Sequence, residues 1–180
     1  LGRDDRDDRH DRDDRDGSAS TTGAERVIFI RSPGVVSTMS EDCIFCQIIA
    51  GDIPSRTVYE DDDVLAFLDA NPLAPGHTLV IPKAHHETLA DLPADAGRPV
   101  FETLHRLTPI VEDATDADAS NVAFNNGAAA GQEVPHVHGH VIPRFDDDGG
   151  APIHAVAGSR PDLDDDELDD IAARIANAAE

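Results

Sequence analysis

The residues best placed to do chemistry are His136, His138 and His140, at alternate positions in the run His136-Val137-His138-Gly139-His140-Val141-Ile142-Pro143. With an ordinary pKa near 6.5, imidazole is both a neutral nucleophile and a proton donor close to pH 7. Alternation beside branched residues predicts a strand, which puts the three rings on one face, roughly 7 Å from one to the next. Such a face can attack, donate or coordinate. A purely structural histidine strand would need a separate partner for every buried ring nitrogen, a demand that three in a row make hard to meet.

A second group of chemically able residues is spread more widely. Cys43 and Cys46 stand three apart at the start of a short helical pattern, and His85 and His86 follow Ile81-Pro82-Lys83-Ala84. Two thiolates and two imidazoles make a suitable tetrahedral set for zinc. The competing readings of the cysteines are a thioredoxin-like redox pair, disfavoured because no βαβ pattern surrounds them, and two buried free thiols. Between the two groups lies Asn125-Asn126-Gly127-Ala128-Ala129-Ala130-Gly131-Gln132. Its small residues let backbone N–H groups approach an anion, while Asn125 and Gln132 add side-chain donors; the plain alternative is an ordinary Gly/Ala loop.

The elements that must position these residues are legible in order. Ile44/Ile48 and Phe45/Ile49 pair at i,i+4, and Gly51 and Pro54 end that first helix. Residues 57–60 and 64–68 read as strands joined by the acidic turn 61–63, and 77–81 as a strand stopped by Pro82. Val100, Leu104, Leu107 and Val111 lie at helical spacing within 98–117, with Pro109 expected to kink the helix or split off its last turn. Residues 121–125 return to strand before the histidines. Residues 164–180 form an amphipathic helix with Leu168, Ile171 and Ile175 expected inward and an acidic first turn that suits the helix dipole. The order predicts an α+β fold with an antiparallel sheet and two longer helices.

Composition narrows the function classes. In 180 residues, 37 acidic side chains face 14 basic ones, a formal charge of -23, and Lys83 is the only lysine. That field repels nucleic-acid backbones and anionic membranes, which argues against both as partners. A lysine-poor acidic surface suits solution in concentrated salt, where screening removes self-repulsion, so a halophilic source is expected. The absence of a long apolar run or a leader pattern predicts a cytoplasmic protein. Residues 1–17 are a low-complexity Asp/Arg alternation expected to be disordered. The only methionine, Met39, stands where patterned sequence begins, so residues 1–38 are expected to lie upstream of the physiological start; residues 27–30 are the one candidate strand within them.

The histidine run resembles the signature of the histidine-triad (HIT) family of nucleotide hydrolases and transferases, and His140 stands where the transferase branch typically carries Gln. The resemblance runs from about Cys43 to Arg144. It implies a five-stranded sheet in each subunit and a homodimer. It also implies hydrolysis at the α-phosphate of a purine nucleotide: His138 as nucleophile, His140 on the phosphate oxygens, and His136 orienting the nucleophile. Asn125, Gly131 and Gln132 would then contact phosphate, and Asp69 the ribose hydroxyls. Nucleoside phosphoramidates, acyl-nucleotides and dinucleoside polyphosphates are the implied substrates. Microbial members sharing CIFC and IPKxH imply a structural zinc on Cys43, Cys46, His85 and His136. Two departures stand out: Gly139 where a bulkier apolar residue is usual, and Glu133 where many relatives carry a hydroxyl. The alternatives to an enzyme are a nucleotide-binding interaction protein with incidental catalysis, and a zinc-stabilised scaffold.

Overall fold

The computed structural model describes residues 42–156, 158 and 161–179. The Asp/Arg alternation, the candidate strand at 27–30 and the Met39 boundary lie outside them. In chain order the elements are α1 (Ile44–Ala50), β1 (Thr57–Glu60), β2 (Val64–Leu68), β3 (Thr78–Pro82), α2 (Ala94–Thr115), β4 (Ala119–Phe124), β5 (Gly139–Arg144) and α3 (Asp165–Ala178). The five strands make one antiparallel sheet in the order β1-β2-β3-β5-β4.

Both faces of the central strands are covered, which is why β2 and β3 are apolar at nearly every position. Val64, Ala66, Val80 and Val141 pack against Val100, Leu104, Leu107 and Val111 of α2. Leu65, Phe67, Leu79 and Ile81 point the other way and meet Cys43, Phe45 and Cys46 from the start of α1. The β1–β2 turn is fixed by Asp61, whose Oδ1 accepts from the N–H groups of Asp63 (2.9 Å) and Val64 (2.7 Å). Gly51 closes α1 with φ of 83°, a left-handed conformation that costs glycine little.

Three expectations need correction. The ladder reaches back only to Gly139, which pairs with Phe124 on one side and Val80 on the other. His136 and His138 therefore precede the strand. Their backbone turns instead, with Val137 N–H donating to His86 O at 2.7 Å and His136 N–H to Val134 O at 2.8 Å. Helix α2 begins at Ala94 and runs unbroken through both Pro99 and Pro109. The hydrogen bond that Pro109 removes would have ended on His105, which is exposed, while buried Leu104, Leu107 and Val111 hold the helix on the sheet. Helix α3 forms with a capping box between Asp164 and Glu167, yet none of its residues is buried among those described; Leu168 and Ile175 are exposed rather than inward.

Gly139 fits its place. A Cβ there would lie 2.7 Å from Leu104 Cδ1 and 2.8 Å from Phe124 Cζ, so these two side chains occupy the space a larger residue would take.

Candidate active site

The three histidines do come together, though only His140 stands on β5. Phe45 from α1 makes edge contacts with the rings of His136 (5.8 Å between centroids) and His138 (5.2 Å), and the His138 and His140 centroids are 5.0 Å apart.

Each ring has a proton arrangement set by its partners. At 2.6 Å from His136 O, His138 Nδ1 must carry a hydrogen to donate to that carbonyl. In neutral His138 the lone pair is then on Nε2, the atom a nucleophile needs. For His140 the chain of inference starts at Leu73, whose N–H donates to His77 Nδ1 at 3.2 Å. Asp69 Oδ2 lies farther from the same Nδ1, at 3.4 Å, so with the Leu73 N–H on Nδ1 His77 Nε2 holds the ring proton and donates to His140 Nδ1, 3.0 Å away. That leaves the His140 proton on Nε2, which is buried and has no hydrogen-bond partner among the described residues. Burial pushes the pKa of His140 down to about 4 and lowers that of His77, so both are neutral near pH 7. The result is one ring with a free lone pair beside another with an unsatisfied N–H, a donor that an incoming phosphate oxygen could satisfy.

The partner of His77 is 63 positions away, and nothing in local spacing signals the contact.

His138 and His140 line a cavity of about 380 Å³, within the range of small-ligand sites. Its lining is apolar at Ile44, Phe45, Ile48 and Ile53 and polar at Asp69, Asn71, Asn125, Gly131 and Glu133, and Asp69, His77 and His140 bring their ligand atoms within 4.8 Å of one another. Asp69 Oδ1 accepts from Asn71 N–H at 2.9 Å. Gln132 lies differently. Its Oε1 accepts from Gly127 N–H (2.6 Å) and its Nε2 donates to Glu87 O (2.7 Å), Val134 O (2.9 Å) and His136 O (3.4 Å). The side chain thus braces the loop and the carbonyl that fixes His138, with its donors already engaged.

Behind His136 lies the second group. His136 Nε2–H donates to Pro82 O at 2.9 Å, so Nδ1 presents its lone pair to Cys43 Sγ (3.5 Å), Cys46 Sγ (3.8 Å) and His85 Nδ1 (3.3 Å); Cys46 Sγ is 3.3 Å from His85 Nδ1. Tetrahedral zinc with ordinary bond lengths spaces its sulfur and nitrogen ligands roughly 3.3–3.8 Å apart. The ligand atoms of Cys43, Cys46, His85 and His136 all fall within 4.8 Å of one another. Three of the four residues are buried, two of them thiols, and both ring Nδ1 atoms lie in the group, so the donor set fits a closed metal centre. Burial, the largest influence, also holds the pKa of His136 at about 4 and keeps the ring neutral for ligation.

Comparison with known proteins agrees with this architecture. The chain is 42% identical over 114 residues to the adenosine 5'-monophosphoramidase HNT1 of Saccharomyces cerevisiae, covering 63% of this chain and 70% of the yeast protein. It is 44% identical over 112 residues to the adenylylsulfatase HINT3 of Arabidopsis thaliana, covering 62% of this chain and 57% of that one. Among solved structures, a zinc-bound histidine triad family protein from Mycobacterium smegmatis superposes with a TM-score of 0.59 at 35% identity, covering 76% of this chain and 97% of that one. The family model described as HIT domain matches residues 50–147, more than half of the chain. With the histidine run, the sheet order and this match in agreement, the chain belongs to the HIT domain family.

Proposed function

We propose that this chain hydrolyses nucleotides at the α-phosphate through a nucleotidyl-histidine on His138, releasing a nucleoside monophosphate. The observation that carries the reading is the 2.6 Å hydrogen bond from His138 Nδ1–H to His136 O, which leaves Nε2 open to the cavity. Attack by Nε2 forms a P–N bond as the bond to the leaving group breaks; water then hydrolyses the intermediate and restores the ring. The buried N–H of His140 satisfies a phosphate oxygen whose charge grows in the transition state. Asp69 accepts the ribose hydroxyls, and Asn125 and Gly131 face the phosphate. Names carried by relatives, a monophosphoramidase and an adenylylsulfatase, support nucleotide hydrolysis as the class. Nucleoside phosphoramidates, acyl-nucleotides and dinucleoside polyphosphates are the substrates to test, with a purine base against the Ile44 and Phe45 wall.

Zinc on Cys43, Cys46, His85 and His136 would be structural, since four protein ligands leave no open position for substrate. We infer a homodimer as well. Strand β4 is an open sheet edge, and beside it Phe101, Leu104, Thr108, Val122 and Phe124 line an apolar groove suited to a second copy. A monomeric mass in light scattering would remove that assignment.

The test is AMP release from adenosine 5′-phosphoramidate by wild type and His138→Ala. Loss of at least about 10⁴-fold in kcat with AMP binding retained is expected. A variant that turns over normally overturns the mechanism. For the metal, about one zinc per chain is expected in protein purified without chelator, and its removal should lower Tm.

A further inference from the structure

We propose that Glu133 is a specificity-determining residue that selects against substrates whose leaving group carries further phosphates, in favour of neutral or cationic leaving groups. The proposal rests on the α-phosphate hydrolase reading above. Its basis is the charge inventory of the cavity. The lining residues include three that are charged at neutral pH: Arg56, Asp69 and Glu133. Arg56 enters from the β1 side, its backbone carbonyl accepting from Leu68 N–H at 3.0 Å. Asp69 accepts from Asn71 N–H through Oδ1 and brings its carboxylate within 4.8 Å of the ring nitrogens of His77 and His140. Asn125, Gly131, Glu133, His138 and His140 also line the cavity, with His140 kept neutral by burial. Two carboxylates thus share the cavity with one cation, Arg56, and Glu133 is the one that the reading above leaves without a task.

The position of Glu133 is not left to loop mobility. The preceding residue, Gln132, is fixed by four side-chain hydrogen bonds and by its own N–H to Gly127 O at 3.2 Å. Three residues on, His136 is fully buried and bonded to Pro82 O. A carboxylate thus lines the mouth of the site with anchored chain on both sides, and among the described residues it has no ion-pair partner.

A single α-phosphate carries about one negative charge, which neutral N–H donors can stabilise. A dinucleoside tetraphosphate brings several more, and the Glu133 carboxylate in the lining opposes them. An amine-bearing leaving group meets attraction at the same place. Like and unlike charges some 5–7 Å apart in a wet cleft change relative rates by several-fold each, so exchanging one for the other is roughly a tenfold effect or more.

The test compares wild type with Glu133→Gln in low-salt, magnesium-free buffer. The substrates are AMP joined through a P–N bond to one end of a diaminoalkane, leaving the other end cationic, and diadenosine tetraphosphate. The ratio of kcat/KM for the tetraphosphate over the amidate should rise at least about tenfold in the variant, and the wild-type ratio should rise in concentrated KCl. A variant ratio within twofold of wild type overturns the proposal. The ratio of adenosine tetraphosphate to AMP affinity is measured on the same proteins. If neither substrate turns over but AMP binds, the hydrolase reading fails alone. The affinity ratio then decides the charge selection, supporting it by rising in the variant and overturning it by staying constant. Absence of nucleotide binding overturns both.

Discussion

At His77 two hydrogen bonds decide where a proton sits on another ring. Leu73 N–H occupies Nδ1, so Nε2–H must face His140, and His140 must keep its own proton on Nε2 inside the cavity. Removing His77 lets His140 take the other tautomer and withdraw that donor. His77→Ala should therefore lower kcat by at least about tenfold while KM changes little, the pattern of an interaction made mainly in the transition state. His77→Gln, which can still present an N–H near the position of Nε2, should recover part of the loss; equal damage by both substitutions would show that the ring only fills space. At this scale the sequence announces residue types better than tasks. The three histidines and the Cys-x-x-Cys were visible from spacing, and the fold brings both groups together. The reach of His77 was not, because a contact across 63 positions is a property of strand pairing between β3 and β5. Gln132 shows the converse: its donors, read as facing phosphate, are spent on Glu87, Val134 and His136 carbonyls that local sequence cannot place.

Strand β5 and helix α2 meet at Gly139, and the missing side chain there is matched by what surrounds it. The hypothetical Cβ would press on Leu104, which is buried, and on Phe124, whose ring also lies 5.3 Å from that of Phe101. Gly139→Leu should destabilise the fold by about 1–3 kcal/mol, the usual cost of overfilling a packed region. Combining it with Phe124→Ala should return a good part of that loss, because the two changes share one space. Denaturant midpoints of the single and double variants check this, and strict additivity would mean that Phe124 does not fill the gap. The same region explains how far element boundaries were legible. The apolar period of α2 was plain in Val100, Leu104, Leu107 and Val111, but Pro109 argued for a break that packing overrides, since the lost hydrogen bond falls on the solvent side. The alternation of His136, His138 and His140 likewise suggested a longer β5. The ladder stops at Gly139, where Phe124 of β4 finds its last partner, and the His86 carbonyl takes over the neighbouring Val137 N–H.

Across the whole chain the acidic excess is concentrated in residues 39–180, where 28 acidic side chains face 7 basic ones. Three runs carry much of it: Asp61 to Asp63 at the β1–β2 turn, Asp146 to Asp148 after β5, and Asp164 to Asp170 at the start of α3. Most of these residues are exposed, and few find a cation. Arg144 is an exception, donating to Asp148 and holding that carboxyl far below the usual carboxylate range. Elsewhere like charges face one another through water, and folding brings them closer than the unfolded chain would. Screening length falls from about 10 Å at 0.1 M salt to about 3 Å at 1 M, shorter than the spacing of most of these groups. Stability should therefore rise with KCl through the molar range, by several degrees in Tm. KCl is the salt to use, because sulfate would strengthen apolar burial in any protein and blur the charge effect. A Tm that is flat or falling between 0.1 and 2 M KCl would show that the acidic surface costs the fold nothing. The same titration tests the proposed pairing at the β4 edge: two chains of this charge would repel one another until screened, so, if they pair there, assembly and stability should increase together.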